Sequence, residues 1–123
     1  MAIFSATVKR VTDGDTVQLL IDCNLRILGI SQFTLLPCRL LRVNTPELNS
    51  PDEDVRKRAV EAKTFLEGVL LGGAVTIHPK ALDPYKRPLV ELYVGSTNIN
   101  DLVIKSGYGV VVSLKTQMEK NYF

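Results

Sequence analysis

Acids, amides and guanidinium groups recur in this chain where turns and strand ends can aim them at one point. They are Asp13-Gly14-Asp15-Thr16, Arg39, Asn44-Thr45-Pro46-Glu47 and Asp83-Pro84-Tyr85-Lys86-Arg87. These are groups that phosphodiester cleavage needs. A nucleophilic water must be positioned, the anionic phosphoryl oxygens held and the leaving oxygen stabilised. A hard divalent cation on oxygen ligands can orient the water and polarise the phosphate. Order and spacing carry this reading, because each piece alone has an ordinary explanation.

Asp15 opens a strand directly after a tight turn, which suits a ligand; Asp13-Gly14-Asp15 is also the signature of a hairpin turn with solvated carboxylates. Arg39 stands in an apolar tract on the face shared by Leu41 and Val43. It must find an anion or reach solvent, since an unpaired buried charge is costly. Arg42 falls on the opposite face and is expected at the surface. Glu47 follows Thr45-Pro46, and the proline fixes the backbone beside it. Glu47 can therefore serve as general base or position water, or simply sit favourably near a helix start. Arg87 ends a turn from which a guanidinium can give two donors to a phosphate; its alternative is a solvated loop residue. His78, Cys23 and Cys38 have no partner pattern and read as core or surface filling. Tyr108, Tyr122 and Phe123 can stack on bases or pack.

The elements that must hold these groups follow from hydrophobic patterning. Ala2 to Val11 reads as a strand, Thr16 to Asp22 as its hairpin partner, and Phe33 to Val43 as a third strand. The connection from Cys23 to Gln32 is unusually apolar, with Leu25, Ile27, Leu28 and Ile30; it reads as extra strand length or a partner surface. Ser50-Pro51-Asp52-Glu53 predicts a helix start with Ser50 as cap and Glu53 closing a capping box. Val55, Ala59, Ala62, Phe65, Leu66, Val69 and Leu70 then form one apolar stripe, ended by Gly72-Gly73. Ala74 to His78 and Leu89 to Val94 read as two more strands. Asn98 caps a short helix through Lys105, and the tail beyond it shows no clear third helix. The expected fold is mainly β with α: one domain over 1–123, a five-stranded Greek-key barrel of the OB type with two to three helices.

Composition sets broader bounds. The chain has 123 residues, 15 Lys and Arg against 13 Asp and Glu, and a net charge of +2. That is too small to argue nucleic-acid binding from bulk charge. Two cysteines without ligand spacing read as free thiols in a reducing compartment. No apolar window reaches the ~18 residues of a membrane span, and Met1 to Arg10 holds no signal-like stretch. The expectation is a cytoplasmic protein with no membrane partner; export after processing is compatible with it.

Taken jointly, the motifs resemble the thermonuclease, or staphylococcal nuclease-like, family. The similar segments are Asp13-Gly14-Asp15-Thr16, Arg39-Leu40-Leu41-Arg42-Val43-Asn44-Thr45-Pro46-Glu47, Glu61-Ala62-Lys63-Thr64-Phe65, Asp83-Pro84-Tyr85-Lys86-Arg87 and the Asn98 to Gly107 helix, together spanning about residues 4 to 110. The resemblance implies a Ca2+-dependent nuclease cutting single-stranded or frayed DNA and RNA with little sequence preference. It implies that Asp15, the Asn44 side chain and the Thr45 carbonyl hold calcium, with Asp13 behind them. Glu47 becomes the general base, Arg39 and Arg87 the phosphate clamps, and Tyr85 and Lys86 substrate contacts. Asn44 stands where many members have Asp, which implies weaker metal binding. Asp15 and Arg39 are about ten residues further apart than in the type member. Its nucleotide-stacking tyrosines are replaced around Ser113 and Lys115, and stacking contributes ~1–3 kcal/mol per base. The alternative is a non-catalytic nucleic-acid or protein-binding module of the same fold. In either case the Leu25 to Ile30 segment can build a homodimer.

Overall fold

Alternating apolar residues give β1 (Phe4–Asp13) and β2 (Thr16–Asp22) one buried face each, and Gly14 joins them in a tight hairpin. The structure, a computed structural model, describes residues 2–119, so Tyr122 and Phe123 lie outside the described residues. Ala6, Val11, Val17, Leu19 and Ile21 are buried, as period-two patterning requires. β3 (Phe33–Leu40) pairs antiparallel with β2 from Asp22↔Phe33 to Thr16↔Arg39. The connection between them is exposed and contains a single 3-10 turn at Arg26–Leu28 rather than extra strand. Its left-handed Asn24 and Gly29 turn the chain away from the sheet.

β3 stops at Leu40, short of the expected Val43. Arg42 adopts φ +71, and the chain turns before the two-residue strand β4 (Val43–Asn44). The capping residue of α1 (Glu53–Val69) is Asp52, not Ser50: its Oδ1 accepts the N–H groups of Asp54 and Val55. The Ser50 hydroxyl accepts the Asp52 N–H at 3.1 Å and shapes the turn before the helix. The apolar stripe packs as expected, with Ala59, Ala62, Leu66 and Leu70 buried.

β5 (Ala74–Leu82) pairs antiparallel with β1, and β6 (Pro88–Val94) with β5. A parallel contact, Arg39↔Leu89 and Leu40↔Val90, joins β3 to β6 and closes a five-stranded OB-type barrel. β7 (Thr97–Asn98) leads into α2 (Ile99–Lys105), which Asn98 caps. β8 (Val110–Val111) pairs with β4, and the tail does form a third helix, α3 (Leu114–Met118). The Ser113 hydroxyl caps it by accepting the Thr116 N–H, a local signal too short to show as periodicity. Among the described residues no helix is long and apolar enough to cross a membrane.

Candidate active site

Register alone brings Asp15 and Arg39 together. Thr16 is the cross-strand partner of Arg39, and the Leu40 N–H donates to the Asp15 carbonyl. Asp15 and Arg39 are 5% and 4% exposed. Arg39 therefore does not face outward on the barrel. Its Nη2 donates to Asp15 Oδ2 at 3.3 Å, to the Val43 carbonyl at 3.3 Å and to Asn44 Oδ1 at 3.2 Å. A carboxylate, a carbonyl and an amide oxygen thus gather around one nitrogen. Thr45 N–H donates to Asp15 Oδ2 at 2.9 Å, and the Thr16 hydroxyl donates to Asp15 Oδ1.

Burial pushes the Asp15 carboxyl up to about 7; the adjacent Asp13, by hydrogen bonding and by charge, acts the same way, while Arg39 and the Thr45 N–H oppose. Asp13 Oδ1 also accepts the Asp15 N–H, so Asp13 both shapes the turn and touches the buried acid. Gly14 is more than a hairpin residue. A Cβ there would lie 2.7 Å from Ala62 Cβ and 2.9 Å from Thr45 Oγ1. Only glycine lets α1 pack directly on the turn and on the Thr45 side chain.

Glu47, three residues beyond Asn44, is exposed, and its side chain makes no hydrogen bond or ion pair with a described residue. Arg87 is placed differently. Buried Asp83 accepts the N–H groups of Tyr85 and Arg87 on Oδ1 and the Arg87 Nε on Oδ2 at 2.6 Å. The carboxylate orders the turn and holds Arg87 through Nε, with the Tyr85 ring centre 5.7 Å from Arg87 Cζ. Leu89 is the register partner of Arg39, so Arg87, two residues earlier, lies along the same barrel seam. Tyr85 and Lys86 are exposed, and Lys86 adopts φ +63 in the turn.

Three polar groups that the sequence does not single out hold the segment from Leu40 to Asn44. Asn100, fully buried, donates to the carbonyls of Leu41 and Val90 and accepts the Leu92 N–H. Gln117 on α3 donates to the Leu40 and Val43 carbonyls and accepts the Arg42 N–H at 2.8 Å. Arg42 is not a free surface residue: it clamps Glu91 through two hydrogen bonds and reaches Asp101 at 2.9 Å. That pairing raises its pKa further. The contacts of Asn100 and Gln117 with the Leu40 to Val43 segment, and those of Arg42 with Glu91 and Asp101, span 49 to 77 positions, so no local pattern exposes them.

Other candidates go to packing. Tyr108 stacks on Phe65 at 4.4 Å, and His78 packs on Tyr93 at 4.7 Å with the rings tilted by 34°. Both cysteines are free thiols, and burial pushes Cys38 up to about 12. Among the described residues no three His, Cys, Asp or Glu side chains cluster as metal ligands. The oxygens around Arg39 Nη2, one carboxylate, one amide and one carbonyl, are of the kind that suits a hard cation, but the carbonyl is that of Val43, and Thr45 meets Asp15 through its N–H.

A family model described as staphylococcal nuclease homologue matches residues 37–122. An uncharacterized protein of Bacillus anthracis is 37% identical over 108 residues, covering 85% of this chain and 45% of that protein. The chain thus spans less than half of that relative. The family match includes Arg39, Asn44, Thr45, Glu47 and Arg87 but begins after Asp13 and Asp15. Pairing of β2 with β3 brings Asp15 to Arg39, and Asp13 follows through its contact with Asp15.

Proposed function

The chain belongs to the staphylococcal nuclease homologue family, and from that premise we propose that it is a calcium-dependent nuclease hydrolysing DNA or RNA phosphodiesters. One observation carries the reading: buried Asp15 and half-buried Asn44 converge on one guanidinium nitrogen of buried Arg39.

Asp15, Asn44 and the Thr45 carbonyl would hold the cation. When bound it would supply Lewis-acid polarisation of the phosphate and orient water. Glu47 takes the proton of the attacking water as its oxygen bonds to phosphorus and the ester P–O bond breaks. Arg39 and Arg87 donate to the non-bridging oxygens as charge grows there. Preorganised donors of this kind contribute several kcal/mol each to lowering the barrier. The leaving oxygen takes a proton from solvent.

Calcium-dependent cleavage of single-stranded DNA, compared with the Glu47→Ala and Arg87→Ala double variant, tests the reading. Equal rates would sink it. A binding module of the same fold is the competing reading, favoured by the single-carboxylate donor set. Calorimetry separates the two, since a module need give no heat with calcium. Homodimerisation through Leu25 to Ile30 is a separate proposal. It is supported by the exposure of Ile27 and Leu28, 93% and 68%. Sedimentation showing only monomer at micromolar concentration would remove it.

A further inference from the structure

A cleft of about 400 Å³ opens directly beside Asn44 and Thr45. Its walls are Pro46, Val55 and Arg58 on one side and Tyr108 and Val110 on the other, with Glu61 one helical turn beyond Arg58. The size falls within the range of small-ligand sites. Both walls are fixed to the reaction cluster. Val110 is the cross-strand partner of Asn44, and a Cβ at Gly109 would lie 3.2 Å from the Asn44 carbonyl and 3.0 Å from Val43 Cγ1. Tyr108 is held in place by its stack on Phe65. Arg58 and Glu61 are exposed, and neither makes a hydrogen bond or ion pair with a described residue.

We propose that this cleft is a subsite for the nucleotide adjoining the scissile phosphate in a single-stranded polynucleotide. The inference rests on the nuclease reading for the position of that phosphate. The base lies against Pro46, Val55 and Val110, apolar surfaces that tolerate any base face. Arg58 donates to the next phosphate of the strand, for which a guanidinium fork is suited. Glu61 disfavours a second phosphate one turn along α1 and so gives the strand one path. The cleft gives a base apolar contact in a chain whose Ser113 and Lys115 offer no aromatic face.

The test is fluorescence anisotropy with a labelled single-stranded octanucleotide, in chelator so that the strand stays intact. Arg58→Gln and Lys57→Gln remove the same charge from neighbouring positions of α1, but only Arg58 lines the cleft. Arg58→Gln is expected to weaken binding about tenfold and Val110→Ser about threefold, with Lys57→Gln within about twofold of the wild type. All three side chains are exposed, so folding is preserved. That pattern supports the subsite even if calcium elicits no cleavage. Equal losses for Arg58→Gln and Lys57→Gln, a wild-type value for either cleft variant, or no binding by the wild type overturns it, even if cleavage is found.

Discussion

Arg39 Nη2 lies 3.3 Å from Asp15 Oδ2, and both side chains are almost wholly buried. The pair ties the turn between β1 and β2 to β3, at the residue where β3 meets β6, and it sets what each residue can do. Arg39 is held in place before any substrate arrives, and Asp15 keeps a partner for its charge. A cation bound by Asp15 and Asn44 would share their oxygens with the same guanidinium nitrogen.

Substitution of two of the proposed reacting groups, Glu47 and Arg87, separates chemistry from folding. Glu47→Gln is expected to lower kcat by about a hundredfold or more, with no change in Tm, because Glu47 is exposed. Arg87→Lys is expected to lose activity by a similar factor, with a modest loss of stability from the Asp83 contact. Single-turnover cleavage with excess calcium, alongside thermal denaturation, measures both. Full activity in Glu47→Gln would remove it from the reaction.

Asn44→Asp adds a full negative charge beside Asp15. Calcium affinity is expected to rise at least tenfold, since Coulomb attraction at ~4 Å with an effective dielectric of ~20 reaches ~4 kcal/mol and is smaller at an open site. Isothermal calorimetry reads the change. An unaltered affinity would place Asn44 outside the metal's ligand set.

The raised pKa of Asp15 fixes the sign of two pH effects. Its folded value of about 7 lies above the ordinary carboxylate value of 3.8, so the native state binds the proton more tightly. The stabilisation is complete below the unfolded pKa and is lost as pH rises through about 7. Relative to Asp15→Asn, the wild type should lose stability between these limits and then level off. Urea denaturation across that range checks this, and a constant difference would refute it. Calcium competes with that proton, so the calcium-induced rise in Tm should be larger at about pH 8 than at about pH 5.5.

Gln117→Ala leaves the Arg42 N–H and the Leu40 carbonyl without this partner in a buried setting. The expected loss is about 2 kcal/mol, near 5–10 °C in Tm. Activity should fall as well, because the same amide steadies the turn between Arg39 and Asn44. Differential scanning calorimetry and the cleavage assay give the two readouts. A wild-type Tm would show α3 to be dispensable for this segment.

Some of this is written in the chain itself. The apolar stripe from Val55 to Leu70 is buried as its spacing requires, because a helix must hide one face. Asn98 caps α2 through a side-chain oxygen that any local reading can find. The strands alternate, and the acid, amide and guanidinium motifs stand in the order of their family. Local cues were also misleading at close range. Ser50 and Asp52 are both capable caps, and the choice between them depends on which N–H each can reach. Ser113 begins a helix too short for periodicity to register.

The tertiary structure decided the rest. Arg42 reads as a surface residue because its partners, Glu91 and Asp101, are 49 and 59 positions away. Asn100 and Gln117 satisfy backbone groups of a turn they reach only after the barrel closes. Gly14 is required by Ala62, a residue on a helix that packs across the hairpin. Buried polar groups must find hydrogen bonds, and the partners available are set by the fold rather than by neighbours in sequence. The chain itself determined which chemical groups this protein carries and which elements bear them. Only the pairing of β2 with β3 and the turn at Arg42 decided that Arg39 would meet Asp15 and Asn44, and so that their oxygens would gather at one point.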